Sequence, residues 1–256
     1  MTQLPQGHLL NFRPIVEGVL YRSDALDHAT VAELDYLQKL GIDHIADLRT
    51  PQEHATRVPM ALRERPWSIG SYPIFDDEQH AQIRQVVGPD NGTLSELYVM
   101  MSRDGARSVV DIARYIVSSP THGVLVHCQY GKDRTGIVVA LLLGAAGWTR
   151  EDIIDDYVAT SNNLDTLKQR VAATMFGALH PDQSMAIDQS SAEFDQLLTA
   201  VGMSRRAFDE VTRADADTIV PFLQHVEDQP MGAATVLLDA GLTQSELDIL
   251  RTRLNP

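Results

Sequence analysis

The chain has 256 residues, with 21 lysine and arginine side chains against 35 aspartate and glutamate, a formal net charge of −14. So large an acidic excess argues against a general binder of nucleic acid or of anionic membranes, because both need a basic face. With 44% apolar and 22% charged residues, the composition suits a chain that buries a large core and excludes disordered and collagen-like classes.

The lone cysteine, Cys128, excludes an intramolecular disulfide scaffold and leaves two readings of that thiol, buried filler or nucleophile. The start, MTQLPQGHLLNFRP, lacks a basic region followed by an apolar run and does not read as a secretory signal. The longest apolar stretch, Ile137 to Ala146, is far short of the ~18 residues that a membrane span needs. The expectation is a cytoplasmic protein with no stable membrane insertion, non-classical secretion staying open.

In chain order, Leu9–Phe12 and Val19–Arg22 are short candidate strands. Thr30–Gly41 reads as a helix, with a capping box from Thr30 to Glu33 and a glycine stop. Ile42–Leu48 alternates as a strand does and runs into Arg49-Thr50-Pro51, where proline closes it. Trp67–Phe75 is a weaker strand because Pro73 interrupts it. Residues 76–93 carry charge, Gly and Pro, and together with Leu94–Met101 they read as a lid between a strand and a catalytic loop, with Gly88 and Gly92 as hinges. Leu94–Met101 and Ala106–Ser118 are helical, and Gly123–Val126 is a short buried strand.

After residue 134 nothing reads as strand. Ile137–Ala146 is an almost wholly apolar helix, hence central and buried. Thr149–Ser161 opens with a Thr-x-x-Asp cap, and amphipathic helices follow at about 163–176, 191–201, 204–213 and 215–226. Thr243–Leu254 carries another capping box, Thr243 to Glu246. Residues 150–256 hold 8 basic and 18 acidic groups against 13 and 17 in residues 1–149, so the acidity sits mainly in the helical part. No repeat or linker divides the chain, and one α/β domain spanning 1–256 is expected.

The segment GVLVHCQYGKDRTGIVVALLLGAAG, residues 123–147, carries the chemistry. A buried strand ends at His127, Cys128 follows, and Arg134 and Thr135 start the apolar helix. In a strand–loop–helix of this kind the amides of Gln129 to Arg134 can point inward, and the helix start adds about half a positive charge. That makes a cradle for phosphate. The same field, with His127 behind it, should lower the Cys128 pKa below the ~8.5 of a free thiol. Arg134 offers the planar fork that fits two phosphate oxygens, Gly131 allows a tight turn, and Thr135 can hydrogen-bond the sulfur or the phosphate. Lys132 is one of only three lysines in the chain, which favours a substrate contact.

The Cys-x5-Arg-Thr pattern resembles the phosphate loop of the Cys-dependent protein tyrosine phosphatases. The fuller His-Cys-x-x-Gly-Lys-Asp-Arg-Thr-Gly is similar to that of the bacterial atypical protein tyrosine phosphatases related to mycobacterial protein tyrosine phosphatase B, whose loop is itself similar to that of phosphoinositide phosphatases. Asn11-Phe12-Arg13, Tyr21-Arg22-Ser23-Asp24-Ala25-Leu26, Asp47-Leu48-Arg49-Thr50-Pro51 and the ending GLTQSELDILRTRL also fit this family. Two places depart from it: Pro14-Ile15-Val16 follows Asn-Phe-Arg, and Tyr130 stands where a small residue is common. The resemblance implies a single-domain tyrosine-phosphatase-like α/β fold, a central mostly parallel sheet flanked by helices with an all-helical C-terminal half.

It also implies a cofactor-free phosphomonoesterase. The substrate is a phosphorylated protein bearing phosphotyrosine, with phosphoserine, phosphothreonine and phosphoinositides as further candidates; inorganic phosphate is the product. Cys128 would attack phosphorus and water would hydrolyse the phosphocysteine. Two aspartates compete as the general acid, Asp133 in the loop and Asp47 at a strand end, with Asp133 placed ahead. Gln129, Tyr130, Gly131, Lys132 and Thr135 form the expected binding set, with His127 orienting the loop from behind. Arg22 and Arg49 are expected to hold carboxylates inside the fold, and Asp155-Asp156 to be solvated helix surface. A nucleotide P-loop is rejected because the earlier glycine is missing and Asp133 stands where Ser or Thr would bind magnesium. No metal-ligand spacing occurs among the nine histidines. The competing functions are a phosphate-binding pseudophosphatase and a rhodanese-like sulfurtransferase; Arg134-Thr135 at the helix start favours phosphate chemistry.

Overall fold

The computed structural model describes residues 9–57, 62, 64–79, 93–119, 121–176, 188–200 and 202–255, apart from the side chains of residues 56, 57, 175 and 176. Five strands form one sheet: β1 (Arg13–Val16), β2 (Leu20–Ser23), β3 (Ile42–Asp47), β4 (Ser68–Ser71) and β5 (Gly123–His127). Their order is β1-β2-β5-β3-β4; only the β1–β2 pair is antiparallel.

The first strand starts later than the sequence suggests. Asn11 takes a positive φ of 59°, a backbone turn that asparagine tolerates better than most residues. The amides of Leu9 and Leu10 are drawn off to Glu33 Oε1 and Asp24 Oδ1. Pairing therefore begins at Arg13, with Pro14 on an edge strand, where its missing N–H costs no ladder bond. Likewise Pro73 shortens the expected strand 67–75 to Ser68–Ser71.

Helix α1 (Val31–Lys39) has the expected Thr30–Glu33 capping box. Helix α2 (Pro51–Arg57) escaped the sequence reading. Pro51 does close β3, but it also stands at N1 of this helix, with Thr50 and Glu53 exchanging backbone–side-chain bonds around it.

Helices α3 (Leu94–Asp104) and α4 (Ala106–Ser118) precede β5, and α5 (Asp133–Ala146) follows the loop after it. Half of the expected lid, residues 80–92, lies outside the described residues. Its last part, Leu94–Met101, belongs to α3 and buries Leu94, Tyr98 and Met101 in the main core.

Among the described residues the elements that follow are all helical: α6 (Arg150–Val158), a 3-10 segment Ala159–Asn163, α7 (Leu164–Phe176), α8 (Ala192–Ala200), α9 (Arg205–Thr212), α10 (Ala216–Glu227), α11 (Ala233–Asp239) and α12 (Gln244–Leu254). The helix expected over 149–161 thus divides into α6 and the 3-10 segment, and the short α11 was not foreseen. Among the described residues no helix is long and apolar enough to cross a membrane.

Strand alternation sorts the sheet's side chains onto two faces. Leu20, Ala46, Val124 and Val126 pack with α5, while Tyr21, Ile45 and Leu125 pack against α1. Helix α5 is apolar on every side because helices surround it: α3, α4, α6, α11 and α12 all contact it. At ~25 cal/mol per Å² of apolar surface, this burial is what fixes α5 behind the loop.

Candidate active site

The parallel strands β2, β5 and β3 end together. Ser23 and Asp47 are the register partners of His127 from either side, so Cys128 leaves the sheet at the carboxyl edge where α/β folds collect ligands. Cys128 is buried, and α5 begins five residues later.

Five successive carbonyls of this loop are hydrogen-bonded, the first four to groups behind it and the last within α5. The Cys128 carbonyl accepts from His127 Nδ1 (3.1 Å), that of Gln129 from the Ala25 amide (3.2 Å), and that of Tyr130 from Asn11 Nδ2 (2.8 Å). The Gly131 carbonyl accepts from Arg22 Nη2 (2.6 Å) and the Lys132 carbonyl from the Gly136 amide (2.7 Å). In a trans peptide the next residue's N–H points opposite to the carbonyl. The amides of residues 129 to 132 are thereby turned to the side away from the four outer anchors, as an anion cradle requires, and that of Asp133 opens the helix. Gly131 makes this course passable: its φ is +65°, and a Cβ there would lie 2.4 Å from the Ser23 carbonyl oxygen.

Two polar groups complete the cradle. The Thr135 hydroxyl is buried and has no hydrogen-bond partner among the described residues. Arg134, 8% exposed, is held by Glu53 of α2, Oε2 to Nη1 at 2.7 Å and Oε1 to Nη2 at 3.4 Å. Burial works against its charge, but the negative charges of Cys128 and Glu53 outweigh it and hold the guanidinium's pKa above its ordinary value. Glu53 is a site residue that sequence reasoning missed. Its signal was Thr50-Pro51-x-Glu53, a capping box with proline at N1.

The two candidate acids are placed differently. Asp47 is 1% exposed; it receives Arg49 at both oxygens, His54 Nδ1 at 2.9 Å and the Arg49 amide at 3.0 Å. Burial alone would raise its carboxyl pKa, but nearby His127 and the bonds from His54 and Arg49 hold it far below the ordinary range. A carboxylate so held has no proton to give, so the expectation that Asp47 serves as an acid is corrected to a brace. Asp133, at the first position of α5, keeps 28% of its side chain exposed. Its Oδ1 accepts from the Tyr98 hydroxyl and lies 3.2 Å from Lys132 Nζ. Among the described residues no donor reaches its Oδ2.

Lys132 and His127 also need correction. Lys132 is 2% exposed, and its ammonium donates to the carbonyls of Val211 (2.7 Å) and Arg213 (2.5 Å). With Asp133 these take its three protons, so it ties the loop to the α9–α10 connection in place of the expected substrate contact. The ring of His127 is enclosed between the Cys128 carbonyl and Asp47, whose Oδ2 is 3.9 Å from Nε2. Burial, partly opposed by Asp47, lowers its pKa; the ring supports the loop from behind in place of the expected substrate contact.

The arginines behave as expected. Arg49 pairs with Asp47 and Asp27, and Arg22 pairs with Asp156 while bonding the Gly131 carbonyl. Asp156 is a correction: Asp155 is exposed, but Asp156 points inward and accepts from both Arg13 and Arg22. Asn11 and Asp156, far apart in sequence, are thus further supports of the loop. Beside Gln129 and Tyr130 opens a cavity of about 260 Å³, bordered also by Asp24, His28 and Arg170.

A loop of this shape can hold a tetrahedral dianion over the sulfur of Cys128, with Asp133 at its rim. The family described as "Tyrosine phosphatase family" matches residues 8–255 of the chain. The chain is similar to a "Triple specificity protein phosphatase PtpB" of Mycobacterium tuberculosis, 26% identical over 94% of this chain and 95% of the relative. It is also similar to a "Tyrosine-protein phosphatase" of Nostoc commune, 28% identical over 56% of this chain and 49% of that one. Among solved structures it matches the core catalytic domain of the PP-IP phosphatase SIW14 from S. cerevisiae, at 15% identity and a TM-score of 0.38 over 75% of this chain and 93% of that one.

Proposed function

Because the chain belongs to the tyrosine phosphatase family, we propose that it hydrolyses phosphate monoesters at the loop 128–135, with Cys128 as nucleophile, Arg134 as phosphate fork and Asp133 as general acid. The observation that carries this reading is the anchoring of four successive carbonyls, Cys128 to Gly131, on groups behind the loop, which turns the amides that follow them to the opposite side, where an anion would sit.

In the first half-reaction Cys128 Sγ attacks phosphorus in line. The S–P bond forms, the P–O bond to the leaving group breaks, and Asp133 gives its proton to the departing oxygen. Amides 129–133, Arg134 and the helix start stabilise the charge on the equatorial oxygens. In the second, water attacks phosphorus, Asp133 takes its proton, and the sulfur leaves. Inorganic phosphate is released, no cofactor is consumed, and residues 1–256 act as one catalytic domain.

The substrate class is supported by the family and by the names of the relatives. A phosphoaryl group is the leading substrate, with Gln129, Tyr130 and the adjacent cavity shaping preference among phosphotyrosine, phosphoserine or phosphothreonine proteins and phosphoinositides. A mechanism that needs a reduced thiol suits the cytoplasm. The test is initial rates on phosphotyrosine peptides and phosphoinositides. Activity that disappears in Cys128→Ser supports the proposal, while unchanged activity in that variant, or binding of phosphate without turnover at any pH, overturns it.

A further inference from the structure

The buried pair Tyr98 and Tyr157 is used by nothing in the mechanism above. Tyr98 lies on α3 and is 0% exposed; Tyr157 lies on α6 and is 1% exposed. Their hydroxyl oxygens are 2.6 Å apart, and the Tyr98 hydroxyl also contacts Asp133 Oδ1. A phenol has one proton. Since Tyr98 gives its proton to the carboxylate, Tyr157 must supply the one between the two phenols. The order is therefore Tyr157 to Tyr98 to Asp133, a directed chain in which each bond polarises the next.

The chain is rigid. Tyr98 meets Tyr157 and Phe222 edge-on, at ring centroids 6.1 and 6.4 Å apart. The Tyr157 ring packs so closely on the first turn of α5 that a Cβ at Gly136 would come within 3.0 Å of it. Burying two hydroxyls costs free energy unless each finds a partner, and here the chain ends on one oxygen of the proposed acid.

We propose that Tyr98 is a positioning residue for proton transfer: with Tyr157 behind it, it holds Asp133 Oδ1 as an acceptor, so that the transferable proton resides on Oδ2. Lys132 Nζ, 3.2 Å from the same oxygen, reinforces the choice. As the proton leaves Oδ2, charge grows on the carboxylate, and the Tyr98 and Lys132 bonds to Oδ1 strengthen with it. The two groups thereby stabilise the conjugate base as it forms and favour the transition state over the ground state. The chain sets geometry and takes no proton itself: burial, ahead of the neighbouring Asp133 charge, raises the Tyr98 phenol well above its ordinary pKa.

This inference rests on the reading of Asp133 as the acid, and the test separates the two. The measurement is kcat/KM, which reports cysteine phosphorylation, on aryl phosphates running from 2,4-dinitrophenyl to phenyl, for the native protein, Asp133→Asn, Tyr98→Phe and the double variant. A good leaving group departs without a proton; a phenolate does not. Tyr98→Phe is expected to lose about ten- to a hundredfold on phenyl phosphate and little on the dinitrophenyl ester, and to add no selective loss in the Asp133→Asn background. A flat Tyr98→Phe beside a selective Asp133→Asn overturns this inference alone, whereas a flat Asp133→Asn overturns the acid assignment and this inference with it. Should Tyr98→Phe fail to fold, Tyr157→Phe replaces it: a smaller loss of the same selectivity supports the chain, and a uniform loss overturns it.

Discussion

Glu53 Oε2 lies 2.7 Å from Arg134 Nη1 and 3.0 Å from the amide of Thr50. One carboxylate therefore closes the N-terminus of α2 and fixes the plane of the guanidinium that is to grip phosphate. It ties α2, the helix that follows β3, to the start of α5. Glu53→Ala is expected to lower kcat/KM by roughly tenfold or more, through a misplaced fork, and to cost about 1 kcal/mol of stability through the lost cap. Steady-state kinetics and thermal melts measure both; unchanged kinetics with a lowered melting point would reduce Glu53 to a cap alone.

Gly131 is the position where backbone geometry leaves least choice. With φ at +65° and the Ser23 carbonyl where a Cβ would stand, Gly131→Ala must move the loop off β2 and disturb the Arg22 bond to its carbonyl. The expectation is a loss of about 1–3 kcal/mol of stability and of most activity, read from denaturant unfolding and initial rates. Native-like rates would mean that the amides need not be held as described.

Lys132 separates a tether from a substrate contact. Lys132→Met keeps the length but leaves the Val211 and Arg213 carbonyls without their donor, and is expected to cost about 1–3 kcal/mol. If Lys132 instead met the substrate, the variant would keep its melting temperature and show only a raised KM, an outcome that equilibrium unfolding and a KM measurement distinguish.

His44 gives a pH dependence of stability. It is 2% exposed, stacked on Tyr115 at 3.7 Å between centroids, with Nε2 2.9 Å from the Tyr72 hydroxyl. Burial, partly opposed by Asp43, brings its pKa down from 6.5 to about 4. Between those values the unfolded chain binds more protons than the folded one, so this contribution is complete above pH 6.5 and is lost as the pH falls toward 4. His44→Phe should lose less stability than the native protein over that interval, as melting curves would show; parallel curves would contradict it.

What the sequence disclosed was local. Cys128, Gly131, Arg134 and Thr135 sit within eight residues of one another, and their spacing on a strand–loop–helix carries its own geometric meaning. The capping boxes at Thr30, Thr149 and Thr243 were legible for the same reason. What stayed hidden depends on partners distant in the chain. Lys132 reads as a substrate contact and Asp156 as a solvated charge until the fold sets Val211 beside one and Arg22 beside the other. Asp47 and Asp133 both stood as candidates by sequence, Asp133 ahead, and what separates them in the fold is burial against His54 and Arg49 in one case and an open Oδ2 in the other. Asn11 supports Tyr130 from 119 residues away, a relationship that no local pattern contains.

The central claim is that phosphate passes through the sulfur of Cys128. Its most direct test is rapid acid quench of the enzyme turning over a phosphorus-labelled aryl phosphate, followed by peptide mapping. The expected result is label bound covalently to the peptide containing Cys128, formed faster than the steady-state rate and absent from Cys128→Ser. Turnover without covalent label, or label elsewhere in the chain, would contradict it.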